Sequence, residues 1–138
     1  MSSSPATVRI AAAALMRPDG ATLLVRKRGT SAFMQPGGKI ELEEPPVDAL
    51  CRELAEELGI SINPSEAEYI GQYSAPAANE VAHTVVADLF RIETASSVSP
   101  AAEIEEVSWV VPQEPNNLDL APLTRDHVLP LVASWVKQ

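Results

Sequence analysis

Three glutamates, Glu53, Glu56 and Glu57, stand at positions i, i+3 and i+4 within the stretch CRELAEELGI. At about 100° per residue, that spacing puts all three carboxylates on one face of a helix. Val47, Leu50, Cys51, Leu54 and Leu58 fall on another face, so the helix is amphipathic, with an apolar stripe for a core and an acidic stripe directed outward. Two chemistries fit the acidic stripe. One is a solvated face, tolerable because like-charge pairs at this spacing cost an isolated helix only about 0.2–0.5 kcal/mol each. The other is a site for a hard divalent cation such as Mg²⁺, which selects carboxylate and carbonyl oxygens. Three carboxylates about 6 Å apart repel by roughly 0.7–2.8 kcal/mol per pair for effective dielectrics of 80 down to 20, and a bound cation turns that repulsion into ligation.

The residues around the helix decide between the two. The fixed frame is Gly38, five residues, Glu44, seven residues, then Arg52-Glu53-Leu54-Ala55-Glu56-Glu57-Leu58-Gly59-Ile60. It resembles the Nudix box, G-x5-E-x7-R-E-U-x-E-E-x-G-U with U an aliphatic residue, at every fixed position. Seven identities and two aliphatic positions at ordinary residue frequencies match by chance on the order of 10⁻⁹ times per window. The resemblance implies an α+β chain with a Nudix fold, an α/β/α sandwich in which a curved mixed β-sheet lies between helices. It implies hydrolysis of the phosphoanhydride bond of a nucleoside diphosphate linked to another group. It also implies that Glu53, Glu56 and Glu57 ligate or orient Mg²⁺, with Mn²⁺ as a substitute, that the Gly37 carbonyl is a further ligand, and that Glu44 braces the loop-helix-loop unit. Arg52, one turn before Glu56, is expected to hold a glutamate in register by an i, i+4 ion pair. Family members commonly add one more acid from a loop beyond the box. Here Glu103, six residues before Trp109, is the candidate for metal ligand or base, with Glu106 the alternative and a plain exposed acid the third reading.

The chemistry itself asks for more than carboxylates. Hydrolysing a phosphoanhydride requires charge stabilisation on phosphoryl oxygens and an in-line water, which metal ions supply and an acidic face alone does not. Phosphate also needs positive partners. The run LVRKR offers Arg26, Lys27 and Arg28, of which Arg26 and Arg28 share a strand face, and Lys39 follows the box glycine. Gln35, immediately before Pro36-Gly37-Gly38, and Phe33 stand where many relatives carry an aliphatic residue and tryptophan, and both are candidates to line a base pocket. A second departure is Glu43, where many relatives carry glycine before the box glutamate. Trp109 and His83 read as structural residues and His127 as a surface one.

The elements that must position these groups follow from periodicity and punctuation. Val8 to Met16, the turn formers Pro18-Asp19-Gly20 and the run ATLLVRKR predict a hairpin. Pro45-Pro46 suits a helix first turn and Gly59 a left-handed cap, so the acidic helix is expected over Pro46 to Leu58. EYIGQYSA, EVAHTVVADLFRI and EIEEVSWVV predict three more strands, separated by loops over Glu93 to Glu103 and QEPNNLDLAP. Val128, Leu131, Val132 and Trp135 recur at helical spacing, with Pro130 in the first turn or kinking the helix.

Residues 1–6 are expected to form a disordered tail and 7–138 a single domain, since 138 residues with a hydrophobic fraction of 46% bury one real core. A net charge of −9 disfavours duplex nucleic acid and anionic membranes as partners. The single cysteine, Cys51, precludes an internal disulfide and fits a reducing compartment; it is expected as buried filler. With no basic n-region or long apolar segment at the N-terminus, a cytoplasmic location is the expectation. The substrate expected is a small-molecule nucleotide, a (d)NTP or oxidised (d)NTP giving the monophosphate and pyrophosphate. ADP-ribose or another nucleoside-diphosphate sugar is the alternative, and a catalytically silent domain used as a nucleotide sensor or protein-binding module is the reading from another class. A homodimer is left open.

Overall fold

The computed structural model describes residues 6–78, 83–114 and 116–135. Its strands are β1 (Ala6–Met16), β2 (Thr22–Lys27), β3 (Phe33–Met34), β4 (Gly37–Lys39), β5 (Glu68–Pro76), β6 (His83–Glu93) and β7 (Ile104–Val110). Two helices, α1 (Pro46–Leu58) and α2 (Leu129–Trp135), complete the architecture. The expected tail from Met1 to Pro5 and the first three residues of the expected strand EVAHTVVADLFRI, Glu80 to Ala82, lie outside the described residues. Ala6, assigned to the tail from sequence, begins β1 and pairs with His83.

All seven strands belong to one mixed sheet. β1 is its axis: it runs parallel to β6 from Ala6↔His83 to Met16↔Glu93, antiparallel to β4 through Ile10 to Ala12, and meets β2 at Met16↔Thr22. β5 extends the sheet beyond β6, and β7 and β3 flank β2. Because a strand alternates faces, Ala11, Ala13 and Leu15 point toward α1 and pack with Leu50, Leu54 and Leu58. Ala12, Ala14 and Met16 point the other way and pack with Val128 and Val132. Both faces of β1 are therefore covered, which explains an unbroken apolar run where a half-exposed strand would alternate. This is the sandwich expected from the sequence.

α1 has the bounds that its punctuation predicts. Pro46 occupies the first turn, and Gly59 ends the helix at φ 68° and ψ 23°, donating its N–H to the Ala55 carbonyl. The C-terminal helical stretch is less regular than its apolar spacing suggests. Thr124–Val128 forms a π turn in which the Leu129 N–H reaches back to the Thr124 carbonyl, and only then does α2 begin. Pro130 explains this: it has no N–H for Asp126, and its ring crowds the preceding turn, so the helix widens just before it. The loop before it is also tied down. Phe33 and Leu120 form a parallel bridge, with Phe33 N–H donating to Asp119 and Ala121 N–H to Phe33. Cys51 is half-buried rather than core filler; burial pushes its thiol pKa up, as do the charges of Asp48 and Glu66. Among the described residues no helix is long and apolar enough to cross a membrane.

Candidate active site

The three box carboxylates do not form one uniform outward stripe. Glu57 is buried, Glu53 is largely covered and Glu56 is exposed. Glu57 lies under β4, where its Oε1 accepts the Gly37 N–H at 3.2 Å. Burial, opposed by that hydrogen bond and by Lys27, and aided by the charges of Glu53 and Glu103, pushes its pKa up to about 7. Glu53 lies against Gly38, where a Cβ would overlap its carboxylate. Gly37, at φ 142°, has its Cα against the Ala11 backbone, where a side chain would overlap the Ala11 carbonyl oxygen. The Gly-Gly pair thus has a steric reason at both positions: one lets β4 lie against β1, the other leaves room for a carboxylate.

Arg52 holds a different glutamate from the one its spacing suggests. Its Nε and one terminal nitrogen donate to the two Glu44 oxygens at 3.0 and 2.9 Å, and the other terminal nitrogen donates to Glu53 at 2.8 Å. Its approach to Glu56 is 3.9 Å. The fork geometry of guanidinium favours a bidentate carboxylate, and Glu44 arrives at the right height because its loop turns back on itself. That turn has Glu43 at φ 64°, the left-handed conformation for which glycine is suited. Glu44 also accepts the Glu41 N–H at 3.0 Å. Its carboxyl is held below the usual range, first by Arg52 and then by that amide, while the guanidinium pKa is raised, first by Glu44.

The opposite wall comes from the loop before β7. The last carbonyls of α1 have no helical partner, and the loop supplies one to each of two: Ala101 N–H donates to Glu57 and Ser99 N–H to Leu58. Ala102 then takes φ 53°, and the Glu103 carbonyl accepts the Arg28 N–H at 2.7 Å. Capping the helix thereby draws Glu103 to the carboxylates. It lines, with Glu53, Glu56 and Glu57, a cleft of about 560 Å³ whose other walls include Lys27, Arg28, Lys39 and Gly38. Glu106 instead pairs with Arg26 at 3.1 Å.

The remaining sequence candidates divide. Arg28 and Lys39 line the cleft, while Arg26 is taken up by Glu106 and the Thr30 carbonyl. Lys27, offered by the sequence beside Arg26 and Arg28 but not on their strand face, also lines the cleft; the β2–β7 register slips after Arg26, where Ile104 rather than Glu105 opposes Lys27. Phe33 lies in an apolar cluster with Leu24, Val110 and Leu129, away from the cleft. Gln35 is buried and accepts the Thr124 hydroxyl at 3.0 Å. Trp109 packs against the α1 core with the Arg17 guanidinium 4.8 Å above its ring, and His127 stacks on Tyr73 at 6.0 Å. The positive φ at Ala102 and the register slip had no signal in the sequence.

The donor set suits a hard divalent cation: carboxylates of graded burial, a backbone carbonyl at Gly37, and a glycine whose missing Cβ makes room for one of the acids. In the conformation described, no three acidic, histidine or cysteine side chains among the described residues already converge to ligating distance. In this conformation one of the acids, Glu53, is engaged by Arg52 at 2.8 Å.

The chain matches the NUDIX domain family over residues 6–132. It is 32% identical over 104 residues to a MutT-like protein of Streptomyces ambofaciens, a match covering 75% of this chain and 63% of that protein. It therefore spans less than two thirds of that relative. It is 30% identical over 115 residues to a CTP pyrophosphohydrolase of Escherichia coli (strain K12), covering 80% of this chain and 81% of the relative. Among solved structures, the MutT protein of Methanosarcina mazei Go1 has the same fold, with a TM-score of 0.79 at 22% identity over 99% of this chain and 100% of the other. A match running almost the full length of a chain whose complete signature folds into one loop-helix unit assigns it: the chain belongs to the Nudix family.

Proposed function

We propose that this chain is a hydrolase, a Mg²⁺-dependent pyrophosphohydrolase of (d)NTPs, oxidised forms included, releasing the nucleoside monophosphate and pyrophosphate. The observation that carries the reading is the composition of a single cleft, in which four carboxylates face three cationic side chains, Lys27, Arg28 and Lys39. Carboxylates alone would repel a polyanion, and cations alone would bind it without activating water. The names of two relatives, a MutT-like protein and a CTP pyrophosphohydrolase, support a nucleotide substrate.

Glu53, Glu56, Glu57, Glu103 and the Gly37 carbonyl would hold the cation, which when bound neutralises phosphoryl charge and acidifies water. Arg52 orients Glu53 by donating to it, and is itself fixed by Glu44. Lys27, Arg28 and Lys39 receive the non-bridging phosphate oxygens. Glu103, which lines the same cleft as Glu56, would accept the proton of the attacking water or complete the ligand set. Glu57 keeps its carboxylate under the Gly37 N–H, so its position does not depend on solvent.

A hydrolysis screen over (d)NTPs, oxidised purine nucleotides, ADP-ribose and diadenosine polyphosphates, with and without Mg²⁺, tests the reading. The expected result is (d)NTP turnover that requires Mg²⁺ and falls by about 10²-fold or more in Glu56→Gln. Full turnover in excess chelator, or turnover confined to ADP-ribose, would overturn it.

A further inference from the structure

Lys27, Arg28 and Thr30 line the carboxylate cleft from the turn that joins β2 to β3. The turn closes on itself: Thr30 donates both its N–H and its hydroxyl to the Lys27 carbonyl, at 3.1 and 2.8 Å, and Gly29 makes the bend at φ 82°. What fixes the turn to the rest of the molecule is less regular. The β2–β7 register slips between Arg26 and Lys27, and a slip of that kind disrupts the ladder that would otherwise hold the end of the strand. The Arg28 N–H on the Glu103 carbonyl, at 2.7 Å, is one tie across the gap.

The other tie is a side chain. Arg26 directly precedes the slip and stands opposite Glu106 on β7. Its Nε donates to Glu106 at 3.1 Å and one terminal nitrogen donates to the Thr30 carbonyl at 2.8 Å. One planar group therefore joins the far end of the turn to the strand that begins directly after Glu103. The Arg26 side chain is 24% exposed, so its bond to the carbonyl is shielded from water, whereas Glu106 at 55% is an anchor on the surface. Arg26 does not itself line the cleft, and its charge is already opposed by Glu106. What it supplies to the cleft is geometry rather than field.

Resting on the nucleotide reading above, we propose that Arg26 is a positioning residue for phosphate recognition. It holds Thr30, and with it Arg28, in a fixed relation to the strand that follows Glu103, so that the cationic side of the cleft is formed before the phosphates arrive. It touches no substrate and acts through Arg28. A loose turn would offer the same charges, but ordering it would draw on the binding energy, so the loss falls on KM rather than on the chemical step.

The test measures kcat, KM and melting temperature in Mg²⁺, with the (d)NTP that the wild type hydrolyses fastest, for Arg26→Met, Arg26→Met/Glu106→Gln, Arg28→Met and Arg26→Met/Arg28→Met. Arg26→Met should raise KM about tenfold, the scale of one charge-assisted hydrogen bond, and change kcat by less than about threefold. Arg26→Met/Glu106→Gln restores the charge balance and should keep the raised KM. In the Arg28→Met background the Arg26 substitution should add less than about twofold, as expected of residues that act as one unit. An unchanged KM, whatever the melting temperature, or a loss confined to kcat would reduce Arg26 to a structural brace. A KM restored by Glu106→Gln would make the effect one of charge, and additive losses with Arg28→Met would mean that Arg26 acts independently of Arg28. Each of these results would overturn the inference while leaving the pyrophosphohydrolase reading intact. Should Arg26→Met not fold, Arg26→Lys decides: it keeps the charge and reaches one partner but not both, so KM should rise by at least about threefold, and a wild-type KM would overturn the inference. A wild type that hydrolyses no (d)NTP in Mg²⁺ would instead overturn the reading on which it rests.

Discussion

Arg52 offers the sharpest test of how the acidic helix is held, because its spacing and its geometry name different partners. The i, i+4 rule points to Glu56, yet the guanidinium stands 3.9 Å from it, and the Glu56 side chain is 58% exposed. Exposed pairs of that kind contribute about 0.2–0.5 kcal/mol. The Glu44 pair is bidentate, with both carboxylates bound to Arg52 at 17% side-chain exposure. Hydrogen bonds to charged groups contribute about 1.5–3 kcal/mol when shielded, and Arg52 is 28% exposed, so the lower end applies. A double-mutant cycle of Arg52→Met with Glu44→Gln, followed by urea unfolding in chelator near neutral pH, should give a coupling of about 1.5 kcal/mol. The same cycle with Glu56→Gln should give less than about 0.5 kcal/mol. Raising salt to about 1 M should erase the second coupling and leave most of the first, since the partly buried pair is screened less. A coupling to Glu56 equal to or larger than that to Glu44 would refute the brace and restore the sequence-based pairing.

Three other perturbations read the same region. Glu43→Gly removes a left-handed side chain that costs about 1 kcal/mol, offset in part by the entropy of an added glycine, so thermal unfolding should show a net gain of a few tenths of a kcal/mol; a loss would mean that Glu43 makes contacts that outweigh its strain. Burial raises the Glu57 pKa from 4.5 to about 7, so the folded state keeps a proton that the unfolded state releases in that window. Stability of the metal-free protein should therefore fall as pH rises from 4.5 to 7, by about 3 kcal/mol at most, and stay low above it, whereas Glu57→Gln should flatten the profile; parallel profiles for the two proteins would rule out Glu57 as the cause. Glu103→Gln should lower turnover by about 10²-fold, and Glu106→Gln, which breaks only the exposed pair with Arg26, by less than about threefold; the reverse order would place the working acid on β7.

What was legible in the sequence is what short-range rules govern. The bounds of α1 follow from Pro46, the apolar period and Gly59, all local signals, and the continuous apolar run of β1 announces a strand covered on both faces. What escaped depends on pairing between distant segments. Alternation groups Arg26 with Arg28, but Lys27 lines the cleft too, where the register slips against β7, and nothing in LVRKR encodes a partner eighty residues away. Phe33 is drawn into the core by Leu24, Val110 and Leu129, residues that only the folded sheet gathers. Arg52 chooses Glu44 over Glu56 because the loop carrying Glu44 folds back beside the helix, and helical spacing speaks only of the helix. Glu43 is the instructive intermediate case: its departure from glycine is visible in the sequence, but only the backbone shows that the turn keeps the left-handed form and tolerates the strain.

The carboxylate cleft is also where the fold is least favourable to itself, and the compensation is visible in the same elements. Glu57 is buried close to Glu53 and Glu103, an arrangement that raises its pKa and weakens the metal-free protein. Against it act the Gly37 N–H on Glu57, Arg52 on Glu53 and Glu44, and the loop amides of Ser99 and Ala101 on the end of α1. None of these bonds removes the like-charge repulsion, and each fixes the geometry in which it is felt. Acids held near one another in the folded state and scattered in the unfolded one are the condition under which a cation binding there would stabilise the fold. The acids at i, i+3 and i+4 are therefore better understood as a cluster maintained by its frame than as a solvated face, for Glu57 is buried, Glu53 is held by Arg52, and Arg52 is in turn held by Glu44.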